Sequence, residues 1–114
     1  MSQTSYKREF PADLARAGEV RHFISWAAAV AGLRGGSLSD LAIAAEAVLT
    51  DIFLSNEVDV LKVESEVTDK TVKITIRHPT LRRRRMAGLE GIMEQFLDGH
   101  EFSPTKAILV KSLS

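Results

Sequence analysis

Apolar side chains at Leu14, Ala17, Val20, Ile24, Ala27 and Ala31 recur every three or four positions, the period of one face of an α-helix. That spacing predicts a helix from Pro11 to about Ala31. Asp13 is placed to cap its first amides, and Phe23 and Trp26 add bulk beside the stripe. Gly35-Gly36 breaks the pattern. A second helix is predicted from Ser37, read as its N-cap with Asp40 three residues on, to about Ser55. Its apolar positions are Leu38, Leu41, Ala42, Ala45, Val48, Leu49, Ile52 and Phe53, and Asn56 ends it.

The period then changes to two. Leu61, Val63, Ser65 and Val67 share one alternating face, and Val72, Ile74 and Ile76 share another, with Thr68-Asp69-Lys70 between them as a hairpin connection. His78-Pro79-Thr80 ends the second of these strands, because proline cannot continue a central ladder. A third helix is predicted from Met86 to Leu97, with Leu89, Ile92, Met93, Phe96 and Leu97 on its apolar face and Asp98-Gly99 closing it. Ser5 to Phe10 reads as a short first strand before Pro11, and Lys106 to Leu113 as a last one. The order strand, helix, helix, strand, strand, helix, strand predicts an α+β, two-layer sandwich. Its sheet is mixed but mostly antiparallel, of about four strands, with three helices on one face.

Length and composition narrow the function. One hundred and fourteen residues make a single domain, 1–114. Fifteen basic residues balance fifteen acidic ones, which argues against direct nucleic-acid binding. There is no cysteine, so thiolate metal sites and a cysteine nucleophile are excluded. No apolar run is long enough to span a membrane, and the first ten residues lack the apolar core of a signal peptide, so a cytoplasmic protein is expected. His22, His78 and His100 lie in different elements without the short spacing of a metal motif, and no metal site is expected. No exposed apolar stripe stands out that requires a dimer.

Three groups of residues can carry chemistry. Glu46 sits mid-way along the second helix, with Thr50 one turn later and Asp51 beside it; the plain reading is a solvated polar face. Arg82 to Arg85 precede the third helix, where guanidinium groups bind phosphate well or simply remain solvated. Gly88 and Gly91 flank Leu89 and Glu90. Glycine costs stability in a helix, so close backbone approach to a ligand or a neighbouring element is expected there.

In this order the pieces resemble the GHKL-type (histidine-kinase-like) ATP-binding domain in the small form of bacterial anti-sigma-factor serine kinases. Ala87-Gly88-Leu89-Glu90-Gly91-Ile92 is similar to the family's glycine box, a GxGL turn running into a helix. Leu41 to Asp51 is similar to its N-box helix, which reads E-x-x-x-N, and Arg77-His78-Pro79-Thr80 falls where its D-x-G-x-G box stands. Phe10-Pro11-Ala12 before an arginine-bearing helix also fits. The resemblance runs from about Glu9 to Leu113 and implies a Bergerat-like sandwich. It implies a nucleotide groove formed by Thr50, Asp51, His78, Arg83, Arg84, Gly88, Leu89 and Gly91, with Glu46 at the general base.

The departures from that pattern define the expected function. Glu46 stands at the base position, but the magnesium-binding asparagine is replaced by Thr50, or by Asp51 if the register slips by one. The slip puts Ala47 in place of the base, so neither register restores both groups. The adenine-reading aspartate has no acidic counterpart among Ile76 to Pro79, Met86 replaces the first glycine of GxGL, and few residues separate Thr80 from Gly88, where the family has an ATP lid. The resemblance with these losses implies a regulator that docks without catalysis, binding a sigma factor or a STAS-domain anti-sigma antagonist and needing no cofactor. The alternative is a divergent ATP- and Mg²⁺-dependent serine/threonine kinase, with Glu46 acting on the acceptor hydroxyl. Dimers in the family extend the expected partners to a second copy of the chain.

Overall fold

The computed structural model describes residues 4–55, 60–68, 70–79 and 88–113. Five strands, β1 (Thr4–Pro11), β2 (Val60–Thr68), β3 (Thr71–Arg77), β4 (Gly99–Ser103) and β5 (Lys106–Ser112), form one sheet in the order β1-β2-β3-β5-β4. Every pairing is antiparallel, so the sheet is not mixed, and it has five strands where about four were expected. The fifth is β4. Its sequence, GHEFS, is short and carries no apolar alternation, and Gly99, expected to close the third helix, is its first residue.

Three helices, α1 (Ala17–Ala31), α2 (Gly35–Leu54) and α3 (Glu90–Phe96), cover one face, which makes the molecule an α+β two-layer sandwich. α1 packs over β1, β2 and β3 and against α2; α2 lies over β5 and against α3; α3 lies over β4. The alternation read from the sequence sets which face is covered. Leu61, Val63, Val72, Ile74, Ile76, Ala107 and Leu109 are all buried beneath the helices. The register places Phe10 opposite Leu61, Val63 opposite Ile76, and Ile74 between Ser65 and Leu109. The other face carries Lys7, Glu9, Lys62, Glu64, Glu66, Lys73 and Arg77, with Arg77 donating to Glu64 at 3.1 Å.

Helix boundaries differ from the predicted ones for local reasons. Asp13 does cap a first turn, accepting from Ala15 N–H at 3.0 Å, but that turn is a 3₁₀ helix (Leu14–Arg16), and α1 begins only at Ala17. The break between α1 and α2 falls at Gly32, whose φ of 118° only glycine adopts readily, and Gly35-Gly36 open α2 instead of interrupting the chain. Ser37 is therefore inside α2 and not its N-cap. Asp40, expected to complete a capping box, meets Lys111 on β5. The predicted third helix shortens to α3, while its expected start at Met86 and the terminator Asn56 lie outside the described residues.

Candidate functional site

α2 is the element on which any chemistry depends. Leu41, Ala44, Ala45, Val48, Leu49, Ile52 and Phe53 define its buried face. The two flanks of that face look in different directions. On one flank Glu46 reaches α1, where its carboxylate lies 3.1 Å from Arg21 Nε. On the other flank Asp40 lies 3.3 Å from Lys111 Nζ, and the same ammonium donates to the carbonyl of Phe96, the last residue of α3, at 2.8 Å. Asp51 is eleven residues, about three helical turns, beyond Asp40, and so shares this second flank together with Ala47. Glu46 and Asp51 are thus separated by about 140° around the helix. Thr50 lies between them on the solvent side and is exposed.

The strand and helix ends gather near Asp51. β2 and β3 are antiparallel, and β2 starts where α2 finishes, so the C-terminal ends of α2 and β3 share one end of the sandwich. α3 runs away from that end: its last turn is held by Lys111, and Asp98 N–H donates to Val110. At its start, Glu90 is tied to His100 on β4. The topology places Asp51 and His78 toward that end of the sandwich, while Glu46 is turned to α1. Arg83 and Arg84, with the whole arginine run, lie outside the described residues.

His78 is held where the D-box stands in the resemblance. Its N–H donates to the carbonyl of Thr105 in the β4–β5 turn at 2.9 Å, and its ring is buried. Nδ1 lies 2.8 Å from the carbonyl of Pro79. A carbonyl only accepts, so Nδ1 carries a proton and donates it to Pro79. Nε2 is buried with no hydrogen-bond partner among the described residues.

The glycines are not where a close approach requires them. A Cβ built on Gly88 or on Gly91 meets nothing among the described residues within 4 Å, and both are exposed with ordinary backbone angles. The expected close packing of a neighbouring element against them is corrected accordingly. Leu89 is half-buried and packs against the core, which makes it a packing residue.

Two features escaped the sequence reading. Lys111, on the last strand, ties α2 and α3 together through Asp40 and Phe96. Glu90, in the first turn of α3, bonds to Nε2 of His100 on β4, whose ring also packs on Phe102. Nothing in sequence spacing marks either contact, because each joins side chains on different elements, Lys111 with Asp40 across most of the chain and Glu90 with His100 across the turn from α3 to β4.

Chemically, the α3-facing flank of α2 carries two carboxylates, Asp40, which is tied to Lys111, and Asp51, and one methyl group, at Ala47, where a base would be needed. Among the described residues no group of three or more His, Asp or Glu side chains is assembled to hold a metal. Also among them, no helix is long and apolar enough to cross a membrane. No protein-family model matches the chain, and no curated protein matches it.

Proposed function

We propose that this chain is a catalytically degenerate relative of the anti-sigma-factor serine kinases, a cytoplasmic bacterial regulator that acts by docking to a sigma factor or to a STAS-domain anti-sigma antagonist. One observation carries the reading: Glu46 and Asp51 occupy opposite flanks of α2, with Glu46 committed to Arg21 and Ala47 beside Asp51. A kinase needs its base and its magnesium ligand to face one triphosphate together. Here the flank that faces α3 retains an oxygen ligand without a base, and the flank that retains the carboxylate base faces α1. In this reading the imidazole of His78 stands where the family has an acid that reads the adenine amino group. Specificity then comes from shape and charge at the docking surface.

The kinase alternative draws support from Asp51, a half-buried carboxylate on the α3-facing flank, and from Thr50, an exposed hydroxyl about 40° from Glu46 around α2. The reading is tested by immobilising the purified chain and passing over it each sigma factor and STAS-domain protein of the source bacterium, in EDTA and then in Mg-ATP. Saturable binding of one of them at micromolar or lower concentration, unchanged by Mg-ATP, is expected. Absence of binding to all of them, or binding that requires nucleotide, rejects the proposal.

A further inference from the structure

On the face of the sheet turned away from the helices, the register sets Glu9 opposite Lys62, Lys62 opposite Arg77, and Arg77 opposite Lys106. One row thus crosses β1, β2, β3 and β5, and its last three members are cations on adjacent strands. Like charges directly opposite each other destabilise a sheet. Of the three, only Arg77 has an ion-pair partner among the described residues: its Nε donates to Glu64 at 3.1 Å. Glu64 is 18% exposed and holds the guanidinium by one edge, which leaves the terminal nitrogens of Arg77 to an acceptor from outside the chain. The fold itself therefore does not offset this concentration of charge, although the chain as a whole is neutral.

The surroundings of the row narrow what fits it. An open cavity of about 760 Å³ lies over its β1–β3 part, with Glu9, Lys62, Glu64 and Arg77 in its wall. Val60, two residues before Lys62 and 44% exposed, borders the row on one side, and Ile108, two residues after Lys106, borders it on the other. Strands lie about 4.8 Å apart, so Lys62, Arg77 and Lys106 span about 10 Å. Side chains at i, i+4 and i+7 on one helix face span about 10 Å as well. Alternate residues of an extended segment step by about 6.7 Å and overrun the row. A nucleic-acid backbone is the other polyanion for such a surface, but Glu9 closes one end of the row and Glu64 lines the cavity, and both oppose a continuous run of phosphates.

We infer that the Lys62–Arg77–Lys106 row on the uncovered sheet face is a docking surface for an acidic helix of a partner protein, whose carboxylates at i, i+4 and i+7 meet the three cations. Which protein carries that helix rests on the docking function proposed above; the chemistry of recognition rests on the sheet.

Amide NMR titration at low salt tests it with a synthetic alanine-based helical peptide carrying glutamates at i, i+4 and i+7. No natural partner is needed, so a failed search for one and a failed peptide titration are separate results. Saturable shifts are expected at the amides of Lys62, Arg77 and Lys106, half-complete at about millimolar peptide or below, as for a few exposed ion pairs. Lys62→Gln and Lys106→Gln should each weaken binding about two- to fivefold, and together at least about fourfold. Lys73→Gln, on the same face of β3 but four residues from Arg77, should change it less than about twofold. Lys106→Gln alone should leave Tm unchanged or raise it, because it removes a like-charge contact. No saturation well above millimolar peptide, an effect of Lys73→Gln equal to that of the row, or equal binding by a peptide with its glutamates dispersed around the helix overturns the inference. So does a fall in Tm for Lys106→Gln, which would show its charge to be offset within the fold. Tighter binding of a thymidine oligonucleotide at the same amides assigns the row to nucleic acid and overturns it too.

Discussion

Replacing Lys111 tests how α3 is held against α2. Its side chain is only 12% exposed, and Nζ donates to the Phe96 carbonyl at 2.8 Å and lies 3.3 Å from an Asp40 oxygen. Lys111→Met keeps most of the apolar stem and removes the charge and the donor. A hydrogen bond from a charged group contributes about 1.5–3 kcal/mol. Asp40 is 37% exposed, so solvent screening limits the ion pair to about 0.5 kcal/mol. The expected loss is therefore about 2 kcal/mol, and about 3 kcal/mol for Lys111→Ala, which also strips the buried stem. For a chain of this size the first figure corresponds to a fall in Tm of roughly 10 °C. Urea unfolding of the wild type, Lys111→Met, Lys111→Ala and Asp40→Asn measures these differences, and hydrogen exchange should show α3 amides losing protection first. The reasoning fails if Lys111→Met lies within about 0.5 kcal/mol of the wild type, or if Asp40→Asn costs as much, which would move the weight from the Phe96 carbonyl to the ion pair.

Four further substitutions have expected outcomes. Ser65 is fully buried beneath the helices, and its hydroxyl has no hydrogen-bond partner among the described residues, so Ser65→Ala should raise stability by about 1 kcal/mol; a loss of similar size in urea unfolding would reveal a partner for the hydroxyl. Gly91→Ala should stabilise α3 by about 0.5–1 kcal/mol, since the site is helical and open, whereas Gly32→Ala should cost at least about 1 kcal/mol because φ there is 118°; equal Tm shifts for the two would contradict the backbone argument. Glu46→Ala breaks a half-exposed pair with Arg21 and should change stability by less than about 1 kcal/mol, a limit that thermal melts can check.

The sequence disclosed the parts of this fold that follow from periodicity. Three helices, the β2–β3 hairpin and the terminal strands were all legible, because Val20 to Ala31, Leu41 to Phe53 and the alternation through Ile74 each repeat at one clear period. β4 was not, since Gly99, His100 and Glu101 carry no apolar alternation and the strand forms only because β5 supplies a partner. Gly35-Gly36 misled for a related reason: glycine at a helix start is tolerated, and the true stop was the single Gly32.

At the candidate site, the sequence located α2 and its carboxylates but not their directions. Glu46 and Asp51 differ by five positions, and only the pairing of Glu46 with Arg21, and of Lys111 with Asp40 on the flank that Asp51 shares, reveals which way each faces. The expectation that Gly88 and Gly91 admit a close neighbour rested on residue type alone, and packing does not bear it out among the described residues.

Under the docking function proposed above, the α3-facing side of α2 does not support catalysis on a nucleoside triphosphate. Isothermal titration of the purified chain with Mg-ATP measures this most directly, with Asp51→Ala and His78→Ala as companions. No saturable heat is expected up to millimolar nucleotide for any of the three proteins. Sub-millimolar affinity in the wild type, abolished by Asp51→Ala, would contradict it.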